Sequence, residues 1–108
     1  MFKGLGDLLE QAQKMRGEVQ RIQESLAKMT VEARAGGGMI KVVANGKQQI
    51  VSVTIDPEVL KMNDIQMLQD LITAGVNQAL KASQDLMTAE MSKLTAGLGP
   101  LASLLNRT

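Results

Sequence analysis

The chain has 108 residues, 44% of them hydrophobic, a formal net charge of +1 and a single aromatic residue, Phe2. That length makes one domain the expectation, and that hydrophobic content supplies a core of Leu, Ile, Val, Ala and Met. With no Cys and no His in the chain, disulfides, thiolate and imidazole catalysis, and zinc sites built on nitrogen or sulfur are all excluded.

Residues from about Leu5 to Met29 predict a helix, because Gln, Glu, Lys, Ala, Leu and Met dominate there. Leu8, Ala12, Met15, Val19, Ile22, Leu26 and Met29 recur in alternating steps of four and three, the a/d seam of a heptad pattern. So narrow a stripe suits another helix better than a broad core, and a second copy of the chain is the expected source of one.

From Thr30 the period falls to two. Val31, Ala33 and Ala35 share one face of a first strand. Gly36-Gly37-Gly38 breaks the pattern and permits positive φ. A second strand follows over Met39–Ala44, with Ile40, Val42 and Ala44 on one face. Asn45-Gly46 reads as a two-residue type I′ hairpin turn. A third strand runs from Lys47 to Ile55, with Val51, Val53 and Ile55 alternating. The result is a three-stranded antiparallel meander whose open face and edges call for a cover.

Asp56-Pro57 ends the third strand, with Asp56 capping a short helical turn. Asn63 is placed to cap the next helix, with Gln66 completing a capping box. A long helix is expected from about Asp64 to Leu94. Its inward face holds Ile65, Leu68, Ile72, Val76, Ala79, Ser83, Leu86 and Met87, with Gly75 and Ala82 beside them for close backbone approach. Gly97-Leu98-Gly99-Pro100 stops it. Residues 1–99 therefore form one domain, and 100–108 a tail.

No run approaches the ~18 apolar residues of a membrane span. Asp7 and Glu10 interrupt the place where a signal peptide's apolar core would lie. The serines have no His as base. The glycine clusters match turns rather than phosphate loops, since Gly36-Gly37-Gly38 leads into a strand. Asp56 and Glu58 beside Pro57 fit a helix start better than a metal site. No enzyme, metal or cofactor is indicated.

Charge gives the sharper signal. The stretch from Asp56 to Asp70 is acidic and the strand region is basic, with Arg34, Lys41 and Lys47 against Glu32. Lys14, Arg21 and Lys28 lie seven apart on the first helix, in one stripe with about 10 Å between neighbours. Such a row can follow a phosphate backbone. It also reads as a self-paired solvated face, since Glu10 and Glu24 each precede a lysine by four, Glu18 and Glu24 lie three from Arg21, and Lys81 precedes Asp85 by four. Base stacking on single strands is not expected with so few aromatics. The Met-containing seam admits a different reading, an adaptor that binds proteins through its helices.

An ordered set of segments resembles a known family. It comprises Leu5-Gly6-Asp7-Leu8-Leu9, Gln11-Ala12-Gln13-Lys14-Met15, the Gly36–Gly38 turn, Ile40-Lys41-Val42, Asn45-Gly46, Val51-Ser52-Val53-Thr54-Ile55-Asp56-Pro57 and the run from Asp70 to Ala79. Over roughly residues 2–99 the chain is similar to the YbaB/EbfC family of bacterial nucleoid-associated proteins. The resemblance implies an α+β homodimer with central antiparallel sheets and helices projecting like tweezers. It also implies duplex DNA binding, chromosome compaction and gene regulation in the cytoplasm, at the nucleoid, without catalysis or cofactor. Lys14, Arg21 and Lys28 are then the expected phosphate contacts, with Lys81 and Lys93 on the second long helix as weaker ones. No small-molecule substrate and no membrane are implied.

Overall fold

The computed structural model of the chain describes residues 2–96. Six elements follow in order: α1 (Phe2–Lys28), β1 (Thr30–Ala35), β2 (Ile40–Asn45), β3 (Ile50–Ile55), α2 (Glu58–Lys61) and α3 (Ile65–Ala96). This is the expected α+β arrangement of two long helices around a three-stranded meander. The stop signal around Gly97–Pro100 and the tail over 100–108 lie outside the described residues.

The sheet is antiparallel in the order β1-β2-β3. The register sets Ala33 opposite Val42 and Val42 opposite Val53, and Ala35 opposite Ile40 and Ile40 opposite Ile55. One face therefore collects the apolar residues of all three strands. Ala35, Ile40, Val42, Ala44 and Ala79 are buried there, with Leu68, Leu71, Ile72 and Val76 of α3 packed around them. The close approach expected at Gly75 is present, since a Cβ at that position would lie 2.9 Å from Val42 Cγ2. Ile65 departs from the expected inward face. It opens α3 beyond the sheet and is 71% exposed.

The loops carry the main corrections. Gly36, Gly37 and Gly38 do take positive φ, at 62°, 67° and 95°. Asn45-Gly46 does not form a type I′ turn. The positive φ falls on Gln48 instead, at 61°. The Asn45 N–H donates to Gln49 O at 2.9 Å, and Asn45 Oδ1 accepts from the N–H groups of Lys47 at 2.9 Å and Gln49 at 3.1 Å. The Asn side chain thus builds the turn by imitating a backbone acceptor, and the loop is longer than two residues. The third strand consequently starts at Ile50, not Lys47. Its register slips as well: Val43 faces Ser52, but Ala44 faces Ile50. Val51 is the extra residue of a bulge and leaves the expected alternation.

The cap of α3 also shifts by one residue. Asp64 Oδ1 accepts the N–H of Met67 at 3.0 Å, so Asp64, not Asn63, is the N-cap. Asn63 instead takes a left-handed φ of 52°. Gln66 closes no capping box; its Nε2 donates to Asp70 Oδ1 at 3.0 Å. Asp56 does act as expected, its Oδ1 accepting from the Glu58 N–H at 3.0 Å.

The molecule is elongated, 73 × 25 × 17 Å, with a radius of gyration of 20.3 Å against about 13 Å for a compact chain of this size. The path of α3 explains the shape. It passes Gly36 at Leu71, the middle of the sheet at Gly75, and the far end of β2 at Ser83. Beyond Ser83 it leaves the sheet at the end where α1 enters β1 through Met29. The two helices touch there.

Candidate nucleic-acid interface

Only part of the α1 seam is used within the chain. Leu26 is 2% exposed, and Val19, Ile22 and Met29 are half-buried. Toward the N-terminus the same seam is open, with Leu8 63% and Met15 38% exposed and Ala12 exposed between them. Every residue from Gly4 to Gly17 is exposed. The expected helix partner is thus supplied at the C-terminal half by the chain's own α3 and β2, and the N-terminal half projects.

The cation stripe lies along the flank of this seam. Lys14, Arg21 and Lys28 are all exposed, as are Lys81 and Lys93. Arg21 pairs with Glu18, one of the two carboxylates placed three residues from it. The expected pairs Glu10–Lys14, Glu24–Lys28 and Lys81–Asp85 do not form. Among the described residues, the ion pairs are Arg21–Glu18, Arg34–Glu32, Lys61–Glu58 and Lys93–Glu90. Exposed pairs of this kind contribute little, because water already solvates both ends and ordering long side chains costs entropy. The two ends of the stripe therefore carry cations not held by a carboxylate.

The α3 lysines do not extend one line. At 100° per residue, Lys81 and Lys93 sit about 120° apart around the helix axis. Lys93 is also held by Glu90 at 3.0 Å. The structure brings Lys14, Arg21 and Lys28 together on one helix face and leaves these two apart from each other.

Sequence reasoning passed over the start of this arm. Arg16 is exposed and has no carboxylate partner among the described residues, but it falls on the opposite face of α1 from Lys14. The basic strand region noted in the sequence lies partly on the sheet surface facing away from α3, where Arg34 and Lys41 are cross-strand neighbours. The alternation in β1 and β2 held that information.

Among the described residues, no group of three or more acidic side chains is placed to hold a metal ion. None of the described helices is long and apolar enough to cross a membrane.

The family model of the YbaB/EbfC DNA-binding family matches residues 1–98. The chain belongs to this family.

A nucleoid-associated protein of Acetivibrio thermocellus is 50% identical over 107 residues, covering 95% of each chain. One from Pelotomaculum thermopropionicum is 50% identical over 98 residues, covering 91% of this chain and 93% of that one. An uncharacterized Helicobacter pylori protein of known crystal structure has the same fold, with a TM-score of 0.71 at 26% identity over 87% of this chain and 96% of that one. The YbaB/EbfC match thus spans both long helices and the whole sheet, and the family is one of DNA-binding proteins rather than enzymes.

Proposed function

We propose that this chain is a nucleoid-associated protein of the bacterial cytoplasm that grips duplex DNA as a homodimer, mainly through phosphates, and so contributes to chromosome organisation and gene regulation. Residues 1–99 are the working domain and 100–108 a tail. The observation that carries the reading is the exposed row of Lys14, Arg21 and Lys28 on a projecting arm, in a chain of a DNA-binding family. Cations in a row bind duplex DNA by releasing condensed counterions, without reading bases. Lys81 and Lys93 are secondary contacts. A single stripe is weak; two of them on one dimer raise the effective concentration of the second once the first is bound.

The dimer reading rests on β3. This edge strand leaves Ile50, Val51 and Val53 exposed, and Leu60, Met62 and Ile65 expose further apolar area nearby. An unpaired edge beside apolar side chains is what a second copy covers in an isologous interface.

A salt titration of duplex binding by the full chain tests the function. The expected result is a steep loss of affinity with salt and similar affinity for unrelated sequences. A Lys14/Arg21/Lys28→Gln triple variant that stays folded should lose most of this binding. Wild-type affinity in that variant at low salt overturns the assignment of the contacts, and no duplex binding by the wild-type chain at low salt overturns the function.

The adaptor reading has its own observation, the open seam at Leu8 and Met15. Loss of duplex binding on substitution of the cations alone separates the two.

A further inference from the structure

We infer that Gly46 and Ser83 are positioning residues for DNA binding: together they clamp the α1 arm to the body and set where Lys14 meets a phosphate. This rests on the DNA-binding reading above and concerns two residues that carry no charge.

The clamp has three parts. The first is the end of α1. The last carbonyls of a helix lack intrahelical donors and must find others. Here the donor comes from the β2–β3 loop: the Gly46 N–H donates to Leu26 O at 2.8 Å and to Met29 O at 3.0 Å. Only glycine permits the approach, because a Cβ at residue 46 would lie 2.7 Å from Leu26 O and 2.8 Å from Leu26 Cδ2.

The second part fixes the loop to α3. Ser83 is fully buried. Its Oγ donates to Asn45 O at 2.6 Å and accepts the Gln48 N–H at 2.9 Å. The third part is the strained loop itself, with Gln48 held at a positive φ of 61°. A non-glycine residue stays in that region only when its surroundings hold it there, and here the hydroxyl of Ser83 does so. The chain of contacts runs from α3 through Ser83 to the loop, and from Gly46 to the end of α1.

The arm amplifies any slack in this clamp. From Gly4 to Gly17, α1 is exposed throughout. Lys14 lies twelve residues from Leu26, about 18 Å along the helix, whereas Lys28 lies two residues away, about 3 Å. A tilt of about 10° about Leu26 therefore moves Lys14 by about 3 Å and Lys28 by about 0.5 Å. A displacement of about 3 Å is enough to break a charged hydrogen bond to a phosphate oxygen. Clamp variants should thus act at Lys14 and spare Lys28, a pattern that general loss of stability does not produce.

The test uses the full chain with Ser83→Ala, and Gly46→Ala as an independent second variant that carries the same test where Ser83→Ala does not fold. Since the chain has no cysteine, Gln13→Cys and Asn77→Cys introduce two unique label sites, one on the arm and one on α3 over the sheet. Spin labels there report the arm direction by electron–electron distance, with labelled chain diluted into unlabelled chain so that only one labelled chain occurs per assembly. This readout needs no DNA. The expected result is a broader or shifted distance distribution in the clamp variant, at unchanged helix content.

Duplex affinity is then measured with Lys14→Gln and Lys28→Gln in both backgrounds. In the wild-type background each substitution should weaken binding several-fold. In the clamp variant the Lys14→Gln penalty should fall to less than half while the Lys28→Gln penalty stays. An unchanged distance distribution, or an equal Lys14→Gln penalty in both backgrounds, overturns the clamp inference and leaves the DNA-binding reading intact. Absence of any penalty in the wild-type background overturns the assignment of Lys14 and Lys28 as phosphate contacts and, with it, the role of the clamp in DNA binding; the DNA-binding reading itself falls only if the wild-type chain binds no duplex at low salt.

Discussion

Val42 of β2 and Gly75 of α3 meet without a side chain between helix and strand: a Cβ on residue 75 would lie 2.9 Å from Val42 Cγ2. Val42 is fully buried in the middle of the sheet, so the helix is seated at its closest point over the centre of the core. Gly75→Leu has no room and must push α3 off β2. Overpacking of this kind costs about 1–3 kcal/mol, and the loss of helix contacts around Ala79 adds to it. Denaturant unfolding should show a lower midpoint at an unchanged slope; an equal or higher midpoint refutes the seating.

Gln48 carries the positive φ that the sequence pattern assigned to Asn45 and Gly46. Gln48→Gly removes the steric cost of a left-handed residue, about 1–2 kcal/mol, and returns part of it as unfolded-chain entropy. The Gln48 N–H to Ser83 Oγ bond is kept, since it is a backbone bond. The net gain should be up to about 1 kcal/mol, a rise of several degrees in Tm for a chain of this size. Thermal unfolding that shows no rise contradicts the turn geometry.

Asp64 and Asn63 make a paired test of the α3 start. Asp64→Ala removes the acceptor for the Met67 N–H and should cost about 1 kcal/mol. Asn63→Gly should be neutral or slightly stabilising, because Asn63 sits at a φ of 52° with no capping bond of its own to α3. The opposite ranking in Tm would restore Asn63 as the cap.

Two apolar-to-Asp substitutions should separate the chain's own core from the proposed dimer interface. Leu26 is buried within one chain, so Leu26→Asp places an unpaired charge in the interior and should unfold the protein. Val51 is 57% exposed on β3, so Val51→Asp should leave helix content intact and halve the mass in sedimentation. A folded Val51→Asp chain with the wild-type mass would move the dimer contact away from β3.

Much of the fold was legible in the chain itself. The period-two faces of β1 and β2 follow from side chains alternating across a pleat, and the register bears them out at Ala33–Val42 and Ala35–Ile40. The family was legible too, from an ordered set of short segments spread over nearly the whole span that the family model matches. Local chemistry also decided the Gly36–Gly38 turn, where no Cβ opposes positive φ, and the Asp56 bond at the start of α2.

What the sequence by itself could not decide were the places where a local preference competes with a distant contact. Asn45-Gly46 has the composition of a tight turn, but the Gly46 N–H is drawn to Leu26 O and Asn45 O to the Ser83 hydroxyl, so the strain moves to Gln48 and Val51 becomes a bulge. The heptad seam of α1 is uniform in sequence, yet only its C-terminal half meets α3 and β2; helical periodicity says which face is apolar and not what will lie against it. Local composition set the helices, the strands and the stripe of cations, because those depend on neighbours within a turn or a pleat. The tertiary structure alone set the turn, the bulge and the free length of the arm, because each depends on contacts beyond the local segment, whereas the α3 cap is a local bond from Met67 to Asp64 in which two adjacent candidates competed.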